Sequence, residues 1–341
     1  MNPTWQQHLI SSGAVIENQR VVHFGNPAQE NKSLQTETVL ADLSDFGLIH
    51  FSGEDAQTFL QGQLTNDVRQ VSPTKSHYSA YCSPKGRMLA NFLFWQDESG
   101  YNMQLPAELR ESIQKRLSMY VLRSKVKVSD LSDQYIRFGI GGQKSSEIMT
   151  KHFGETPQVP HEIKTIGQDR IINLPGNRFE IITTPENAPG LWDAMRQDCM
   201  PVGSAAWEWL EIQAGVPRIT AATQEQFVPQ MVNYEAIGGV SFQKGCYPGQ
   251  EIVARTQYLG KLKRRMYLAH LDADTPAAGD NLFSQEMEGQ ASGMIVNVQP
   301  APDGGYDLLA VIQISSAGAE SIHWKALDGP ALQLLPLPYP L

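Results

Sequence analysis

Residues 241–255 read SFQKGCYPGQEIVAR, and they gather side chains whose types and spacing could do chemistry. Cys246 lies between Gly245 and Gly249, with Lys244 ahead of it and a Gln-Glu pair behind. Proline tolerates the first turn of a helix, so Pro248 predicts that one starts here and ends at Gly260. Ile252, Val253, Thr256 and Leu259 would share one side of it, and Arg255 belongs to the same helix. A cysteine just ahead of a helix start, beside a lysine, sits where partial positive charge favours a reactive sulfur. Flanking glycines let backbone approach whatever the sulfur meets. Cys246 is then either a functional thiol or a small residue in a turn, and the residues alone leave both open. No histidine lies nearby, so a Cys-His hydrolase pair is not indicated. Cys199 follows Leu191 and Met195 at helical spacing and Cys82 lies in an apolar strand, so both are expected in the core.

Composition removes many other chemistries. The chain has 341 residues, 41% hydrophobic and 18% charged, a size that predicts two or three compact units. Net charge is −9, which argues against a polyanion-binding surface over the whole chain. "KLKRRM" (261–266) is read as a solvated strand rather than an RNA site, and no direct nucleic-acid partner is expected. Three scattered cysteines without a CxxC pair argue against a disulfide scaffold or a self-contained metal site, and no metal is expected. No apolar run is long enough for a membrane span, and the N-terminus lacks a signal-peptide pattern, so a cytoplasmic protein with no membrane partner is expected. No GxxxxGK[ST] loop occurs, and "GIGGQKSS" (139–146) fails as GxGxxG because Lys144 stands at the third glycine.

The elements that must position the cysteine loop are legible in outline. Residues 1–35 look polar and irregular, a variable extension. "ADLSDFGLIHFSG" (41–53) reads as a strand, and "SGEDAQTFLQGQLTNDV" (52–68) as a helix. "HYSAYCSPKGRMLANFLFW" (77–95) is a hairpin turning at Ser83-Pro84-Lys85-Gly86. In "AELRESIQKRLSMYVL" (107–122), Leu109, Ile113, Leu117 and Tyr120 fall on one helical face. Residues 134–200 alternate strands with helices, and "SAAWEWLEIQAG" (204–215) is a further helix. After Gly260, short strands between Gly, Pro and Asp turns predict a terminal β-barrel.

With these residues in place, "KGCYPGQE" followed by Arg255 resembles the K-G-C-Y-x-G-Q-E signature of the YgfZ-type folate-binding proteins, relatives of the glycine-cleavage T-protein. "FLQGQLTNDV" (59–68), "SAYCSPKGRM", "IQAGVPRI" (212–219) and "PLPYPL" extend the resemblance over residues 40–341. It implies an α+β fold, a T-protein-like ring of two folate-binding α+β subdomains and a C-terminal β-barrel. The implied boundaries are 36–133 with 201–258, 134–200, and 259–341. It also implies a tetrahydrofolate cofactor, held by Phe46 and Trp207 where relatives place tryptophans and by Glu180 in "RFEI" where T-proteins grip the pterin. Cys246 becomes the functional thiol, accompanied by Lys244 and Arg255. T-proteins carry a catalytic aspartate where this chain has Leu89 and Ala90, so transferase chemistry would lack its main electrostatic help. The resemblance therefore implies an accessory protein for iron–sulfur cluster assembly or repair, partnered by assembly proteins or cluster-dependent enzymes, with effects on tRNA modification. The alternative is a folate-dependent, aminomethyltransferase-like one-carbon transferase.

Overall fold

In the computed structural model, which describes residues 1–258, 260–318 and 321–341, the alternation in "YIRFGIGG" becomes a sheet with two unlike faces. Six strands run in the order Ile163–Ile166, Asp169–Leu174, Arg178–Thr183, Ile136–Gly141, Val39–Asp42 and Met200–Val202. All pair antiparallel except the last two, which are parallel. Across the ladder Glu180 faces Gly139, Arg178 faces Gly141 and Ile182 faces Arg137. Paired residues share a face and successive ones alternate. Arg137, Gly139, Gly141, Arg178 and Glu180 therefore occupy one side, and Phe138, Ile140, Phe179 and Ile181 the other. The apolar side is closed by helices Ser145–Phe153 and Ala188–Met195 through Ile148, Met149, Trp192 and Met195. Cys199 joins this core, as expected.

The first 35 residues are not an irregular extension. Asn2 accepts a hydrogen bond from Trp5 N–H and Pro3 opens helix Pro3–Ser11, a start that satisfies orphan donors at low cost. Trp5 and Leu9, one turn apart, are fully buried in the same apolar core. A hairpin of Val15–Glu17 and Arg20–His23 and a helix Pro27–Ser33 follow. Polar composition conceals the Trp5–Leu9 pair because two residues suffice to dock so short a helix.

The chain divides into two compact units. The first holds Met1–Gln57, Arg69–His77 and Leu93–Leu210; the second holds Thr58–Val68, Tyr78–Phe92 and Glu211–Leu341. In the first, a second ladder pairs Phe46–Ser52 with Gly100–Pro106 and with Lys127–Asp130. Helix Ala107–Val121 packs on it through Leu109, Ile113 and Leu117. Tyr120, expected on that buried face, is instead half exposed.

The helix expected over 52–68 stops early, at Ala56–Gln61. Gly62 breaks it, and beyond it Thr65 N–H and Oγ1 both bond to Ala80, at 2.9 Å each. The hairpin forms as expected from His77–Cys82 and Met88–Asp97, turning at Gly86 with φ +69°. Cysteine-loop helix Gln250–Tyr258 buries Val253 alone of the side expected to be apolar; Ile252 is exposed and Leu259 lies outside the described residues. The terminal strands form a curled half-barrel: His323–Trp324, Asn281–Phe283, Ala291–Pro300, Tyr306–Gln313, Arg264–Leu271 and Gln333–Leu335, antiparallel throughout. Among the described residues no helix is long and apolar enough to cross a membrane.

Asp42 fastens the N-terminal helix. Trp5 Nε1 donates to its Oδ1 at 2.7 Å, and Ser44 donates through both N–H and Oγ–H. Burial is the larger effect and raises the carboxyl from 3.8 to about 6. The native state therefore keeps a proton that the unfolded chain releases. Its stabilising contribution is complete below pH 3.8 and is lost as pH rises through about 6. Asp42→Asn should remove this dependence. In denaturant titrations the variant should gain about 3 kcal/mol on the wild type as pH rises across that window.

Candidate functional site

The cysteine loop is built from its neighbours inward. Where helix Ala56–Gln61 stops, its last carbonyls have no intrahelical partner. Lys244 supplies one: its Nζ donates to Gln61 O at 2.6 Å and to Leu64 O. The ammonium is buried and lies 5.1 Å from the Tyr247 ring centroid, a cation–π contact. Tyr247 is buried as well, and burial pushes its phenol above the ordinary range. Cys246, between these two anchors, is exposed. The sequence expects Lys244 as a charge at the sulfur's service; the structure turns its ammonium to backbone carbonyls, where it fixes the loop. Arg255 is exposed on helix Gln250–Tyr258.

The loop is also seated on the hairpin turn. A Cβ on Gly249, at φ +82°, would stand 2.5 Å from Ser83 O and 2.6 Å from Gly86 Cα. A Cβ on Gly86 would in turn meet Ile252 Cβ at 3.0 Å. Two glycines thus allow the turn and the helix start to touch backbone to backbone. Further along the hairpin, Leu89 and Ala90 are buried, and Asn91 spends its amide on Pro217 O and Ile219 N. No carboxylate occurs in residues 85–91. Burial pushes the other thiols, Cys82 and Cys199, up to about 12 each, so neither competes with Cys246 as a reactive sulfur.

In the first unit the polar side of the six-stranded sheet carries a different constellation. Glu180 is 1% exposed, and Gln104 Nε2 donates to its Oε2 at 2.8 Å. The other end of the Gln104 amide accepts from Arg137 Nη1 at 3.4 Å, and Arg137 Nη2 donates to Phe46 O at 2.9 Å. Burial lowers the Arg137 guanidinium, while the carboxylates of Glu180 and Asp42 act in the opposite sense. Trp207, buried on helix Ser204–Gln213, lays its ring where a Gly139 Cβ would sit, within 2.4 Å. Gly139 is the residue opposite Glu180 in the ladder. Arg178 Cζ lies 5.1 Å from the Trp207 ring centroid. Phe46, Glu180 and Trp207 thus converge on one sheet face, with Phe46 joining through its carbonyl.

A protein named tRNA-modifying protein YgfZ, from Enterobacter sp. (strain 638), is 32% identical over 318 residues, 92% of this chain and 97% of the relative. The chain belongs to the YgfZ family. YgfZ proteins from Escherichia coli O7:K1 and Shigella sonnei match over the same shares at 32% and 31% identity. The GCVT N-terminal domain profile matches residues 5–168, a span that takes in most of the helix Pro3–Ser11. Glycine cleavage system aminomethyltransferase T from Bartonella henselae superposes with a TM-score of 0.77 at 16% identity, over 99% of this chain and 97% of that one. At such identity the likeness is one of fold. This YgfZ chain has the T-protein fold.

Gln104, Arg137 and Tyr247 escape a reading of the YgfZ motif alone. The first two are detectable as polar residues inside the apolar strand patterns "YNMQLP" and "YIRFGI", where a buried polar side chain must find a partner. Tyr247 lies inside the motif itself but carries no sign of which way it points. The loop geometry yields a matched pair of variants. Gly249→Ala should lower the folding midpoint by a few kcal/mol equivalent, since no flexible side chain can yield. Gly245→Ala, with nothing within 4 Å of the new Cβ, should leave it within about 0.5 kcal/mol. Chemical denaturation of both proteins checks this.

Proposed function

We propose that this chain is a tetrahydrofolate-binding accessory protein for iron–sulfur cluster assembly or repair, through which cluster-dependent enzymes, including those of tRNA modification, are sustained. The observation that carries the reading is an exposed Cys246 on a loop clamped by buried Lys244 and Tyr247, in a T-protein fold whose residues 85–91 offer no carboxylate. The relatives' name, tRNA-modifying protein, supports the last step.

The donor set in the first unit fits a folate. Glu180 is a buried acceptor of the kind that takes N–H donors of a pterin's amino-pyrimidine edge, and Gln104 with Arg137 keeps its carboxylate oriented. Trp207 supplies a flat ring in a cradle only glycine permits at position 139. Phe46 contributes its carbonyl, which accepts from Arg137 and so helps to hold the Gln104–Glu180 pair. When bound, tetrahydrofolate would supply a one-carbon carrier or a reducible ring; this chain's residues bind and orient it. Residues 85–91 contain no carboxylate, with Leu89 and Ala90 where T-proteins hold an acid, and this weighs against the transferase alternative. The exposed thiol provides one soft ligand out of the set a cluster requires, so in this reading the remainder come from a partner protein. Arg255, exposed on the next helix, would meet that partner's surface.

Two variants separate the halves of the proposal. Glu180→Gln should weaken tetrahydrofolate binding at least about 10-fold in calorimetric titration, leaving Cys246 accessible to a thiol reagent. Cys246→Ala should bind folate and melt like the wild type, yet fail to restore cluster-dependent enzyme activity in cells lacking the protein. Full restoration by Cys246→Ala would sink the role given to the thiol. Turnover of methylene-tetrahydrofolate by the purified protein would favour the transferase alternative instead.

A further inference from the structure

Helix Ala107–Val121 ends in an apolar tip turned to solvent. Met119 is 61% exposed, Tyr120 49% and Leu122 86%. Leu122 also holds φ +48°, a left-handed backbone conformation that disfavours any residue with a Cβ. A leucine kept there against its own backbone preference, and facing water, is a candidate contact for another molecule.

The charge around the tip narrows what that is. From Ser112 to Ser129 the chain carries Lys115, Arg116, Arg123, Lys125 and Lys127 and no carboxylate, in a protein of net charge −9. Lys115, Arg123, Lys125 and Lys127 are exposed. Lys125 pairs with Glu54 at 2.8 Å, with both side chains more than two-thirds exposed, and its N–H donates to Asp55; so open an ion pair is weak and exchangeable. The cations follow one another from the helix, through the turn, onto strand Lys127–Asp130, which is an edge of its sheet.

We propose that this tip docks a single-stranded loop of a structured RNA. Phosphates would lie along Lys115, Arg123, Lys125 and Lys127, an unstacked base would lie on Tyr120, and Met119 and Leu122 would act as apolar wedges. An RNA loop offers both a line of negative charge and bare base faces, whereas a duplex hides its bases. A second copy of this chain would set cations against cations. This proposal runs against the expectation of no direct nucleic-acid partner, which rests on a net charge that averages away a local run. It rests on the proposed function only for the choice of tRNA as probe.

The test is binding of a labelled, unmodified tRNA transcript to the full-length protein at about 50 and about 200 mM salt. Affinity should fall roughly 10- to 100-fold between the two, as expected for a few phosphate contacts. Arg123→Glu with Lys127→Glu should weaken binding at least about 10-fold and flatten the salt dependence. Leu122→Gly relaxes the backbone, so its melting midpoint should hold or rise while tRNA affinity falls several-fold at an unchanged salt slope. Absence of tRNA binding at the lower salt overturns the proposal, as does wild-type affinity in both variants. Equal affinity for a fully paired RNA, with Leu122→Gly silent, overturns the base contact. Capture by phosphatidylglycerol vesicles through the same residues, without tRNA binding, would assign the tip to a membrane surface instead. Tetrahydrofolate titration of the same proteins keeps the two readings apart: its failure in the wild type removes the proposed function and leaves this surface standing.

Discussion

Burying a charge requires that its lost water be replaced by fixed hydrogen bonds, and this fold meets that requirement at Lys244, Glu180 and Asp42. The Lys244 ammonium is buried because a helix ends at Gln61 and leaves carbonyls to be satisfied. The Glu180 carboxylate is buried because Gln104 reaches it and is itself held by Arg137. Asp42 is buried because an indole and a serine donate to it. In each case a short-range interruption of regular structure, or a polar residue within an apolar strand, creates the partner that makes burial tolerable. The rigid placement of Cys246 and of the aromatic face around Gly139 both follow from this.

The two constellations differ in kind. Around Glu180, the side chains of Gln104 and Arg137 extend a buried chain of hydrogen bonds from the carboxylate. Around Cys246 the buried Lys244 and Tyr247 serve as anchors while the cysteine between them is exposed. Both constellations sit in a chain of the T-protein fold whose residues 85–91 offer no carboxylate.

Much of this is written in local patterns. The hairpin at Ser83–Gly86, the alternation through "YIRFGIGG" and the helix from Ala107 follow from turn chemistry and period, and they formed as those patterns require. The YgfZ motif likewise marks the cysteine loop. What patterns could not convey was direction and partnership. Lys244 looks like a free charge in the sequence because its acceptors, Gln61 and Leu64, lie far back in the chain and appear only once the helix stops at Gly62. The N-terminal segment looks irregular because its apolar residues are scattered among polar ones, yet Trp5, Leu9, Ala14 and Val21 all enter the core and Trp5 donates to the distant Asp42. Tyr120 fits the helical period yet points outward, since the helix runs past the sheet it covers.

The ladder in the first unit has a consequence for how the chain is made. Val39–Asp42 pairs with Ile136–Gly141 on one side and with Met200–Val202 on the other, and Trp5 caps the core those strands enclose. During synthesis the capping helix leaves the ribosome long before its sheet exists, and closure must await residue 202. The nascent chain therefore carries its aromatic N-terminus through more than half of translation before the sheet that shields it can close.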